Sequence, residues 1–145
     1  MALSDKKLPP DLKPNSVLAA EIERLKEPNG TISCATAMRL AESKNVKPEE
    51  VGRTLDALSV HLGKCQIGTF GYPGHAKGWG AGAPVLDAEP DGLRPALLEA
   101  GGPGKRISCL SLWNIAARFR ISRMSVGFAA DRAGLKIVDC QLGAF

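Results

Sequence analysis

At 145 residues, with 44% apolar and 23% charged side chains, the chain has the balance of an ordinary globular protein, and a net charge of +4 permits an acidic partner without demanding one. No apolar run approaches the length that spans a bilayer, and the opening MALSDKKLPPDLKP carries charge without the apolar core of a secretory signal, so a cytoplasmic protein is expected. Four cysteines in such a chain are expected as reduced thiols, not as a disulfide framework.

Residues 1–15 are broken by prolines and show no periodicity, which predicts a mobile tail. From Ser16 the spacing of Leu18, Ile22 and Leu25 predicts an amphipathic helix, stopped by Pro28-Asn29-Gly30. Thr31-Ile32 is a short extended piece. Ser33 then has the hydroxyl to accept a bond from a free amide in the first turn of a helix that buries Ala37, Leu40 and Ala41. After a turn at Ser43-Lys44-Asn45, with Val46 pointing inward, Pro48 suits the first position of a third helix. Val51, Leu55 and Leu58 give that helix its apolar face. Val60 and Leu62 alternate with polar neighbours as in a strand, and a second strand or wing is expected after the bend at Gly63.

Residues 71–90 are rich in glycine and proline and read as a linker. Trp79 within it is expected to lie down on a module and pin the loop. The series of elements then runs again. Asp91 is placed to cap a helix reaching about Ala100, and Gly101-Gly102-Pro103-Gly104 breaks it. Lys105-Arg106-Ile107 is the short strand, Ser108 the cap, and Leu112, Ile115 and Ala116 the buried face. Ile121 takes the place of Val46, and Val126, Ala130 and Ala133 form the third-helix stripe. Leu135, Ile137, Val138 and Leu142 build a final hairpin.

The recurrence is a duplication. Cys-Gln-Ile-Gly-Thr-Phe at 65–70 returns as Cys-Gln-Leu-Gly-Ala-Phe at 140–145, and 11 of the 39 residues from Ile32 to Phe70 are identical 75 positions later. Chance would give roughly two or three. The expected organisation is therefore α+β, with a tail at 1–15, one module at 16–70, a linker at 71–90 and a second module at 91–145. Each module is near the lower size limit for its own core, so packing of the modules on each other, or a homodimer, would help both.

In each repeat the order helix, short strand, helix, turn, helix, strand pair resembles the winged helix-turn-helix fold. That resemblance implies a wing hairpin and a third helix that enters the DNA major groove. In the first module the third helix shows Glu49, Glu50, Arg53 and Asp56, an acidic face poorly suited to phosphates. In the second, Arg118, Arg120 and Arg123 gather at the turn with Ser122 and Ser125, and Lys105 and Arg106 stand nearby. These seven residues are the candidate DNA contacts of a transcriptional regulator. The alternative is a non-catalytic interaction or accessory module that docks a protein partner through the first module.

Cys34, Cys65, Cys109 and Cys140 sit at matching places in the two repeats. Core packing, a metal or redox sensor site and a disulfide are all open to them. Without C-x-x-C or a nearby histidine, burial of all four as small apolar side chains is the expectation, with no cofactor. His61 and His75 are unrepeated and read as surface residues. Gly52 and Gly127 suggest close approach of a helix, since glycine costs a helix about 1 kcal/mol relative to alanine. Asp56 and Asp131 stand four residues beyond them, where they can bond the backbone or Gln66 and Gln141. Glycines in GHAKGWGAG lack the strand and helix of a phosphate loop, and nothing resembles a nucleophile elbow, so an enzyme is not expected.

Overall fold

A computed structural model describes residues 15–81 and 86–145. The expected mobile tail falls outside these, except at its last residue. Asn15 is fixed as a helix cap. Its Oδ1 accepts from the amides of Val17 (3.0 Å) and Leu18 (3.1 Å), and its Nδ2 donates to Glu50 Oε1 at 2.8 Å.

The architecture is α+β in two similar halves. The first holds α1 (Ser16–Leu25), β1 (Thr31–Ser33), α2 (Cys34–Ser43), α3 (Pro48–Ala57) and β2 (His61–Gly63). The second holds α4 (Leu93–Gly101), β3 (Arg106–Ser108), α5 (Cys109–Phe119), α6 (Arg123–Arg132) and β4 (Lys136–Val138). A 3-10 turn, Gly78–Ala81, lies within the expected linker. The strands and third helices of the second half begin and end 75 positions after their counterparts, as the duplication requires.

Capping chemistry explains most of the helix starts. Ser33 and Ser108 each accept the amide three residues on, from Thr36 (3.2 Å) and Ser111 (3.1 Å), and Pro48 opens α3. The fourth helix departs from expectation. Asp91 does not cap it; Gly92, at φ 86°, turns the chain and α4 begins at Leu93. Arg94 in its first turn reaches back to Glu89 with two bonds, Nη2 to Oε1 at 2.7 Å and Nε to Oε2 at 3.2 Å.

The sheets also differ from expectation. β1 pairs with β2 in parallel, Ile32 opposite Leu62, and β3 pairs with β4 in parallel, Ile107 opposite Ile137. Neither half shows an antiparallel wing hairpin among the described residues. Two helices connect the strands of each pair, so the chain returns in the direction it left. Directly after each second strand a residue in the left-handed region ends the extended run, Lys64 at φ 45° and Asp139 at φ 54°.

Beyond β2, where the hairpin was expected, the chain makes a compact turn. The Cys65 amide donates to the Phe70 carbonyl (3.1 Å) and the Gly68 amide to the Cys65 carbonyl (3.0 Å). Gly68 supplies the φ of 88° that this turn needs. Thr69 Oγ1 donates to Cys65 Sγ at 3.0 Å, and the Tyr72 hydroxyl to the Cys65 carbonyl at 2.7 Å.

By its contacts the chain divides into two compact units. One compact unit runs to Lys64 and takes in Gln141–Phe145; the other runs from Cys65 to Cys140. Each repeat's final segment thus belongs to the unit built on the other repeat. In the first unit Leu18, Ile22, Ile32, Ala37, Leu40, Val51, Leu55 and Leu62 are buried, and Leu142 and Ala144 of the exchanged segment are buried too. In the second, Cys65 and Ile67 belong to one apolar cluster with Leu93, Leu97, Ile107, Leu112, Val126 and Leu135. Phe70 packs against that cluster, completing the role of the segment at 65–70.

The duplicated glycines mark these seats. A Cβ on Gly127 would collide with the carbonyl oxygen of Ile67, and one on Gly52 with that of Leu142. The close approach expected at these positions is therefore made by an irregular segment and not by a helix.

Candidate nucleic-acid interface

The chain from Ala100 to Ala130 contains five cationic residues and no Asp or Glu. Lys105 and Arg106 lie at the start of β3, Arg118 in the last turn of α5, Arg120 in the turn and Arg123 at the start of α6; all five side chains are exposed. Arg120 occupies the left-handed region, φ 55° and ψ 43°, which turns α5 into α6 within three residues. Ser122, also exposed, caps α6 by accepting the Ser125 amide at 3.0 Å. The free amides and the dipole at that end favour an anion, as does the neighbouring charge.

Six of the seven expected contact residues thus share an exposed placement. Ser125 does not: it is buried, and its hydroxyl takes a bond of 2.8 Å from Ser122 Oγ. It completes the cap from within and is not available to a ligand.

Most of α6 beyond its first residues is covered. Val126, Ala129 and Ala130 are buried. Gly127 lies beneath Ile67. Phe128 meets Trp79 with ring centroids 5.7 Å apart, and Met124 lies against Gly68 and Gly78. Trp79 does pin the loop, as expected, and it does so on this helix. The signal in the sequence was present: Met124–Ala130 has no charged residue, and a helix without a polar stripe is a buried helix. The exposed residues of α6 lie at its two ends, Arg123 at the first and Asp131 and Arg132 at the last, Arg132 lying 5.5 Å from the Phe128 ring.

Arg123 has surroundings that the sequence did not announce. Its guanidinium carbon is 3.5 Å from the centroid of the Trp113 ring, and its Nη1 donates to Gln66 Oε1 at 2.6 Å. Gln66, one of the two partners open to the third-helix aspartates in the sequence, bonds Arg123 here. Its place in the repeated Cys-Gln pair was the available hint that it holds something.

On the first unit, the acids of α3 are partly committed. Glu50 is half-buried and takes the bond from Asn15, whereas Glu49 and Arg53 are exposed. His61 and His75 are exposed, as expected. Cys34, Cys65 and Cys109 are buried, but Cys140 is only half-buried, against the expectation of four buried thiols; none forms a disulfide. It lies just after the left-handed Asp139, where the chain leaves one unit for the other. Among the described residues no group of three or more His, Cys, Asp or Glu is placed to hold a metal ion, and no helix is long and apolar enough to cross a membrane. Compared with known proteins, the chain matches no family model, no curated protein and no solved structure.

Proposed function

We propose that this chain binds DNA through the α5–α6 helix-turn-helix of its second unit and acts as a transcriptional regulator. The observation that carries the reading is that Lys105, Arg106, Arg118, Arg120 and Arg123 are all exposed, in a stretch from Ala100 to Ala130 that holds no Asp or Glu. An anionic polymer meets no repelling carboxylate from that stretch, and the N-terminal end of α6 adds the favourable end of a helix dipole. The likeness to a winged helix-turn-helix rests on the helices and not on a wing. Coverage of the middle of α6 shifts the expected contacts from deep base readout toward phosphates and the first base edges.

Fluorescence anisotropy with labelled duplexes at several salt concentrations tests this. If all five cations meet phosphates, log affinity against log salt falls with a slope of about −4.5. Absence of binding even at low salt removes the DNA reading and leaves a protein-interaction module.

A further inference from the structure

Arginine on a protein surface ordinarily samples many rotamers, and ordering it on a ligand opposes binding. Arg118 and Arg120 are exposed, and Arg118 has only a looser ring contact, 5.1 Å from the centroid of its neighbour Phe119. Arg123 is different. One face of its guanidinium rests on Trp113 at 3.5 Å, and one N–H is taken by Gln66 at 2.6 Å. Trp113, half-buried on α5, packs against the apolar cluster of the second unit and so offers its ring as a platform. The indole N–H is buried with no partner among the described residues, so packing and not a polar bond sets the ring's direction. Of the five guanidinium N–H donors, Gln66 uses one. The other donors belong to an exposed side chain on the first residue of α6, next to the exposed cap Ser122.

We infer that Trp113 and Gln66 are positioning residues that pre-orient Arg123 to grip a two-acceptor edge of DNA, an inference that rests on the DNA-binding reading above. A planar fork held in place matches two phosphate oxygens or the O6 and N7 of guanine. Stacking on Trp113 removes most of the ordering that such a grip would otherwise require. Lysine could not replace this arginine, because an ammonium has neither the plane that stacks nor the fork.

The test measures affinity and salt slope on alternating A·T and alternating G·C duplexes of equal length. It compares the full chain with Arg123→Ala, Arg123→Lys, Trp113→Leu, Trp113→Phe and Gln66→Ala, and tracks thermal unfolding of each. Arg123→Ala should weaken binding, and if the gripped edge is phosphate the magnitude of the slope should fall by about 0.9, the value for one phosphate. Trp113→Leu and Gln66→Ala should weaken it roughly three- to tenfold with the slope kept, since the charge remains. Arg123→Lys should behave as Trp113→Leu does, and Trp113→Phe should restore most of the loss. Equal losses on both duplexes identify phosphate as the gripped edge; a loss confined to G·C identifies guanine.

Two results overturn the inference in different ways. If the unaltered chain binds neither duplex, the DNA reading fails and this falls with it. If the chain binds but Trp113→Leu, Gln66→Ala and Arg123→Lys all stay within twofold while unfolding temperatures drop, the cluster is a strut for the segment at 65–70. Should Trp113→Leu not fold, Arg123→Lys and Gln66→Ala decide the matter alone.

Discussion

The carbonyl oxygen of Leu142 occupies the space in which a side chain on Gly52 would begin. Leu142 is itself buried, and its segment, Gln141–Phe145, belongs to the unit built from the first repeat. Ile67 stands in the same relation to Gly127 in the other unit. The duplicated glycines and the duplicated Cys-Gln-x-Gly-x-Phe segments are therefore two halves of one device, and each half is found on the opposite repeat. Every residue whose identity is kept in that segment has a use in the second unit. Cys65 is buried, Gln66 meets Arg123, Gly68 makes the turn and Phe70 packs against the core.

Gly52→Ala and Gly127→Ala test that device. Alanine gains about 1 kcal/mol over glycine in an unobstructed helix. Here the atoms in the way are backbone, which cannot rotate aside, and overpacking of this kind destabilises by about 1–3 kcal/mol. Both variants should be net destabilised in urea, with the midpoint moving down. A variant that gains stability would show that the segment is not seated on its glycine.

Local order was legible in the sequence; strand direction and the exchange of the final segments were not. Periodicity placed α1, α2, α3, α5 and α6, and the hydroxyls of Ser33 and Ser108 marked two helix starts to the residue. Strand direction was beyond reach because three-residue strands such as His61–Gly63 carry too little alternation to set a partner. The exchange of segments was hidden by the duplication itself: two nearly identical segments and two equivalent glycine seats read the same whichever way they are joined. Of the proposed interface, the cations were legible from charge alone. Coverage of α6 was not, since it depends on Ile67 and Trp79, which are distant in sequence from the helix they meet.

Three caps share one geometry and differ in burial, which sets an order of effects. Ser33, Ser108 and Ser122 each accept an amide and each bond the hydroxyl three residues on, at 2.9, 2.9 and 2.8 Å. Alanine at Ser33 or Ser108 should destabilise by about 1 kcal/mol. Alanine at Ser122 should do more, because the hydroxyl it abandons, Ser125, is the buried one of the three. An unpaired buried hydroxyl adds about 1–3 kcal/mol. Denaturant titrations of the three single variants would reveal equal losses if burial of Ser125 were irrelevant.

The thiols should react in an order set by exposure. Cys140 is half-buried and the other three are buried. Brief alkylation of the native chain, read by mass spectrometry of its peptides, should label Cys140 first, with Cys34, Cys65 and Cys109 reacting only on opening of the fold. Cys140→Ser should remove the fast phase. Rapid native labelling of Cys65 would contradict its place in the core of the second unit.

Glu89 gives the fold a weak pH dependence. The bond from Arg94 holds its carboxyl below the ordinary value of 4.5, with Arg94 raised by the same bond. A depressed folded-state pKa means the unfolded chain takes up the proton first as pH falls. The pair's contribution is therefore constant above about pH 5.5 and is lost as pH drops through 4.5 and below. Both side chains are substantially solvated, so the effect is small. Unfolding of Glu89→Gln and of the unaltered chain should differ slightly at pH 7 and converge near pH 3. A difference that grows toward low pH would reverse the sign and refute the assignment.

The turn between α5 and α6 gives the most direct test of the proposed function. Arg118 and Arg120 are exposed and lie outside the buried cluster of the second unit, so they can be changed with little risk to the fold. Arg120 needs a replacement that tolerates φ 55°, and asparagine does so better than alanine. Arg118→Ala with Arg120→Asn removes two of the five cations between Ala100 and Ala130, a stretch that holds no Asp or Glu. If both arginines meet phosphates, the magnitude of the salt slope should fall by about 1.8, and affinity should weaken alike on every duplex. Glu49→Gln on α3 should leave the slope unchanged or raise affinity slightly, since it removes charge that repels DNA; Glu50 is left alone because it holds Asn15. A slope indifferent to the arginines but altered by Glu49→Gln would move the interface to the first unit, where the third helix begins with those carboxylates.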